Sequence, residues 1–162
     1  MGAEVMSVPA VFQPFHEATK SAFAYLTDYG FICREEAHAG VEAWVVYENG
    51  TTRITVHYQL GAAPWVEIGH LEWRGGRSVQ SQSVGLDLVL RERGISFKDE
   101  IDTPRDITPI EISSMLRTRA EQLRQHSDDL LRGNFSSFPR LLTMAEKELR
   151  RREAELYGSE GG

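Results

Sequence analysis

The most regular pattern in the chain lies between residues 42 and 73, where three runs alternate apolar and polar positions: 42–48 (EAWVVYE), 51–60 (TTRITVHYQL) and 65–73 (WVEIGHLEW). A period of two is the signature of strands with one face in a core. Asn49-Gly50 separates the first two runs and predicts a two-residue reversal, because both central positions of a type I′ turn need φ > 0. Gly61-Ala62-Ala63, closed by Pro64, separates the second and third. The three runs predict an antiparallel meander.

A two-residue turn pairs Glu48 with Thr51, placing Val45 opposite Ile54 and Ala43 opposite Val56. Alternation then divides the side chains between two faces. One carries Val41, Ala43, Val45, Tyr47, Ile54, Val56, Tyr58, Leu60, Val66 and Ile68, with His70 near its end, and reads as the core face. The other carries Glu42, Trp44, Val46, Arg53, Thr55, His57, Trp65, Glu67, Leu71 and Trp73. This mixed face is where function is expected.

The flanking segments read as helices and one more strand. Phe15, Ala18, Ala22, Leu26 and Tyr29 recur at helical spacing, Pro14 suits a first turn and Gly30 a stop, so 14–29 is predicted helical. Residues 31–36 read as an edge strand, bringing the meander to four, and Gly75-Gly76 as a turn. Residues 84–93 read as a short helix capped by Ser83, with a strand over 86–90 as the alternative. An acidic connection over 95–107 leads to Thr108-Pro109-Ile110-Glu111, a capping box that opens a helix running to Gly133-Asn134. Phe138-Pro139 starts the last helix, whose 146–155 stretch is mixed charge with i,i+4 partners. The fold class is α+β: a four-stranded antiparallel meander with an N-terminal helix and two to three C-terminal helices. The expected organisation is a loose arm over 1–13, one domain over 14–157 and a disordered tail over 158–162.

Composition narrows the functions. The 162 residues, 41% apolar and 26% charged, fit one globular domain with its own core. A formal charge of −6 opposes duplex nucleic acid as a partner and suits a basic one. Cys33 is the sole cysteine, so neither a disulfide framework nor a thiolate metal site is expected. No apolar run approaches the ~20 residues of a membrane span, and the start has no signal-peptide pattern. The expected compartment is the cytoplasm.

Chemistry is sparse along the chain. No H-x-x-x-H, C-x-x-C, G-x-S-x-G or phosphate-loop pattern occurs, so no metal or cofactor is expected. A three-residue second loop would set His57 opposite Glu67, with Glu42 on its other flank; a slip of two residues in that hairpin would keep the faces and make the Glu67 contact diagonal. That row is a candidate acid–base group, or else an ion row on a solvated face. Trp44, Trp65 and Trp73, with Arg53 and beside Glu42 and Glu67, form the candidate binding surface, because tryptophan anchors interfaces; the acidic loop 95–107 is the alternative surface. The expected partner is a protein, and a second copy of the chain is one option.

The alternation into Asn49-Gly50 and the segment 123–142 (LRQHSDDLLRGNFSSFPRLL) resemble small bacterial cytoplasmic α+β proteins, some of which are immunity proteins. In element order alone the chain also resembles type III secretion chaperones. The resemblance carries no functional residue onto this sequence; the function expected is a non-enzymatic protein-binding module, immunity-like or chaperone-like, with a small enzyme using His57 between Glu42 and Glu67 as the alternative.

Overall fold

The computed structural model describes residues 8–96 and 105–158. Five strands, Ile32–Ala39 (β1), Glu42–Glu48 (β2), Thr52–Gln59 (β3), Trp65–Arg74 (β4) and Arg77–Gly85 (β5), form one antiparallel sheet in chain order. The helix Gln13–Ala22 (α1) precedes the sheet, flanked by 3-10 turns at Ala10–Phe12 and Ala24–Tyr29. Helices Leu86–Glu92 (α2), Pro109–His126 (α3), Asp128–Leu131 (α4) and Phe138–Tyr157 (α5) follow it. The α+β class, the N-terminal helix, the antiparallel sheet and the C-terminal helices are as the pattern predicts. The sheet has five strands rather than four.

The added strand is β5. Its sequence, RSVQSQSVG, has almost no apolar alternation, because an edge strand with half-exposed side chains needs little. Pairing to β4 holds it, and Gly75-Gly76, at φ 61° and 80°, joins the two. Positive φ at both central residues makes this connection the type I′ reversal of the fold.

At Asn49-Gly50 the chain does something else. Neither residue has positive φ, and Glu48 pairs with Arg53, not Thr51. Residues 49–51 connect the two strands, and the Asn49 side chain works beside the backbone bond that its own amide donates to the Thr52 carbonyl at 3.1 Å. Its Oδ1 accepts from the Thr51 and Thr52 amides at 3.0 and 2.9 Å. The Asn49 amide group also donates to the Tyr29 and Leu131 carbonyls at 3.0 and 3.2 Å, and the Thr52 hydroxyl donates to the Leu130 carbonyl at 2.8 Å. The reversal is shaped by what it docks against.

Both meander registers slip by two residues, the first at this turn and the second at the 60–64 connection. Val45 faces Val56 rather than Ile54, and Val56 faces Val66 rather than Ile68. A slip of two keeps every side chain on its face. Ala43, Val45, Tyr47, Ile54, Val56, Tyr58, Val66 and Ile68 all join the core cluster with Phe15, Leu90, Leu116, Leu131 and Leu141 from the helices. Burying each large apolar side chain stabilises by roughly 1.5–3 kcal/mol, so the helices are held to this face. Val41 and Leu60, expected there too, are exposed because they fall in the turns that flank β2 and β3.

The helical predictions need smaller corrections. The stretch 14–29 is an α-helix only to Ala22 and a 3-10 helix from Ala24, closed by Gly30 at φ 80°. Residues 10–12 are not part of a loose arm, since Phe12 is buried and packs edge-on against Tyr58. Thr108 caps α3 as expected, accepting from the Glu111 amide at 3.2 Å. The helix it opens stops at His126 rather than Gly133, because Ser127 leaves helical backbone at φ −129° and ψ 22°. The break turns Leu130 and Leu131 into the core and Asp129 toward Arg93, which it meets at 2.8 Å. The helix after β5 begins at Leu86 rather than Val84, with Gly85 and not Ser83 at its cap. The acids Asp99, Glu100 and Asp102 of the predicted connection lie outside the described residues, as do 1–7 and the tail beyond 158.

Candidate functional site: the open sheet face

With the described helices packed against one side of the sheet, its other side has, among the described residues, only its own side chains. Val46 and Leu71 belong to this second side and are buried, yet neither joins the core cluster. Their cover comes from the sheet, which is bent. The register shifts in β1 between Cys33 and Glu35, and in β5 opposite His70 and Leu71. Bulges of this kind sharpen the right-handed twist of a strand pair. A hollow of about 460 Å³ is lined both by Ile32 and Arg34 of β1 and by Trp73 and Ser78 of the β4–β5 hairpin. Strands from opposite edges thus share one wall, and the face is concave.

Its centre is a trough of about 680 Å³ between β1 and β4, lined among others by Trp44, His57, Glu42, Glu67, Arg53 and Glu48. Trp44 lies opposite His57, and His57 opposite Trp65. The His57 and Trp65 rings stack with centroids 5.0 Å apart and planes within 7°. The Trp44 indole N–H donates to Glu35 at 3.4 Å. At one end Glu48 holds Arg53 at 2.7 Å and lies 3.9 Å from Arg34.

The predicted Glu42–His57–Glu67 row does not form as a row. The slip of two residues puts tryptophans on both sides of His57 and moves the carboxylates to diagonal positions, Glu42 opposite Gln59 and Glu67 opposite Thr55. Diagonal neighbours remain within reach of long side chains. Glu67 uses that reach, bringing Oε2 to 3.4 Å from His57 Nε2. The contact with His57 holds the Glu67 carboxyl below its ordinary value of 4.5, against the burial that pulls it upward. A depressed carboxyl contributes stability above its ordinary value, and the contribution is lost as pH falls through the lower, folded one. Glu42 has no ion-pair or hydrogen-bond partner among the described residues.

The candidate binding residues divide. Trp44 and Arg53 line the trough, and Trp65 flanks it through its stack on His57. Trp73 is 71% exposed and lines the second hollow instead. Arg34, Glu35, Glu48 and Gln80 also line the trough and were not singled out by the pattern. Arg34 and Glu35 both reach it because the β1 bulge suspends alternation between them, and no residue in the sequence announces that bulge. Gln80 arrives on the strand that the periodicity missed, its amide lying over Gly69, where a Cβ would meet it at 2.3 Å.

His70, on the core side, stacks on Phe135 at 4.0 Å and takes no part in this face. Among the described residues no three His, Cys, Asp or Glu side chains are grouped to hold a metal ion, and no helix is long and apolar enough to cross a membrane. Compared with family models, with curated proteins and with solved structures, the chain finds no match.

Proposed function

We propose that this protein is a non-enzymatic binding module that engages another protein through the concave side of its sheet. One observation carries the reading: the described helices cover one side of the sheet, and the tryptophans sit on the other. Aromatic side chains in a shallow, partly desolvated surface rimmed by polar groups are the usual anchors of protein interfaces. Edge-to-edge pairing is the weaker route, since β1 carries Arg34, Glu35 and Glu36 and both edge pairings contain a bulge. A module of this kind acts by occupancy, as an immunity protein or a secretion chaperone does.

The test is capture by the tagged chain from its native cells, comparing the wild type with a Trp44→Ala/Trp65→Ala double variant. Both side chains are off the core cluster, so the thermal midpoint of the variant should stay close to that of the parent. Loss of the captured partner at unchanged midpoint is the expected result. Capture that survives both changes rejects this face.

A second reading rests on the 3.4 Å contact between His57 and Glu67, which suits an acid–base pair. It makes the chain a small enzyme in which Glu67 orients the His57 ring, with Glu42 on the far diagonal. The open trough favours the binding reading, because acid–base catalysis gains most where water is excluded.

A further inference from the structure

We infer that the trough is built to receive a cationic side chain, and that the partner segment seated there is rich in arginine or lysine. This rests on the binding reading above and names the chemistry of its partner.

Two independent features of the trough point the same way. The first is charge. Four carboxylates line it against two guanidinium groups, and both guanidiniums lie at one end beside Glu48. Glu35, Glu42 and Glu67 are left toward the centre. Glu35 accepts only an indole N–H, Glu67 meets only the His57 ring, and Glu42 meets nothing among the described residues. The surface therefore presents negative charge that the described residues leave uncompensated.

The second feature is the aromatic row. The His57–Trp65 stack and Trp44 occupy adjacent positions across three strands, flanked by those same carboxylates. An indole face attracts a cation within about 6 Å of its centroid, and tryptophan is the strongest of the aromatic partners. A guanidinium laid against Trp44 would stand near Glu35 and Glu42, and one against Trp65 near Glu67. An anionic or neutral occupant would bring nothing to offset the carboxylates. Electrostatic complementarity of this kind fixes partner choice and raises the on-rate.

All three tryptophans of the chain lie on this side of the sheet, so intrinsic fluorescence reports on it selectively. The experiment is a fluorescence titration of the full chain with nona-arginine, with nona-glutamate as control, repeated with a Glu42→Gln/Glu67→Gln variant. We expect a saturable change with nona-arginine alone, weaker at high salt and weakened about tenfold in the variant, each lost charge contact being worth roughly 0.5–1 kcal/mol. The variant's thermal midpoint serves as the folding check. A Glu42→Gln single variant, fully on the surface, gives the same direction of effect should the double variant be unstable.

No saturable change with nona-arginine, equal affinity in the glutamine variants, or a matching response to nona-glutamate would each overturn the assignment. A fluorescence change that follows protein concentration alone would overturn a separate partner and make the occupant a second copy, its Arg150–Arg152 helix end supplying the cationic charge. A native partner lost with Trp44 and Trp65 while nona-arginine leaves no signal overturns the cationic chemistry and leaves the docking face standing. Nona-arginine binding that ignores the loss of both tryptophans overturns the face.

Discussion

Asn49 holds more of this fold than its place in a surface turn suggests. One side-chain oxygen closes the β2–β3 connection, and one amide group ties it to the carbonyls that end the Ala24–Tyr29 turn and α4. Asn49→Ala leaves two carbonyls and two amides to find water or go unpaired, and should cost on the order of 2 kcal/mol in denaturant unfolding. Gly50 is the contrasting case. Its φ is not positive and a Cβ there meets nothing, so Gly50→Ala should stay within about 0.5 kcal/mol of the parent in the same assay. His16 gives a second residue-level effect. It is buried on α1, and neither ring nitrogen has a hydrogen-bond partner among the described residues. Burial, with Lys20 and His38 nearby, holds its pKa below the ordinary 6.5. The unfolded chain then takes up a proton that the folded one resists, so stability should fall as pH drops below 6.5 and level off under the folded value. His16→Leu should flatten that part of the stability–pH profile, measured by denaturant midpoint between pH 7 and 5.

Among the elements, α5 is the one whose two halves differ most. Phe138 and Leu141 anchor its start in the core, and Arg140 and Glu148 tie it to Glu92 and Arg91 of α2 at 2.9 and 3.0 Å. From residue 149 onward every described side chain is exposed, Leu149, Leu156 and Tyr157 included. This stretch has no buried side chain among the described residues and is held by local pairs such as Glu148–Arg152. Pairs of that kind contribute only a few tenths of a kcal/mol. Deleting residues 150–162 should therefore lower the helical circular-dichroism signal while moving the unfolding free energy by less than about 0.5 kcal/mol. A larger loss would mean that the end of α5 packs on the domain. The strands carry the opposite lesson. β5 has the poorest strand pattern of the five, and hairpin pairing with β4 across Gly75-Gly76 decides it.

At the scale of the whole molecule, one side of the sheet packs against the described helices, and the other carries the tryptophans on which the proposed binding role rests. The division into two faces was legible in the residues alone, because alternation survives any slip of two. That is why Trp44, His57, Trp65 and Glu67 were correctly placed together while their order across the strands was not. The capping box at Thr108 and the stop at Gly30 were legible too, since a cap depends on a few adjacent residues. Register, bulges and the fifth strand were not. The turn at Asn49 depends on the distant Leu130 and Leu131 carbonyls, β5 on hairpin pairing to β4 across Gly75-Gly76 and not on apolar alternation of its own, and the bulge in β1 on its pairing to β2. The sequence by itself determined the class of fold and which side chains share a face, through local geometry and period. Only the tertiary structure decided that the aromatic row displaces the carboxylate row, and that the sheet bends into a trough, because both follow from hydrogen bonds closed between distant segments.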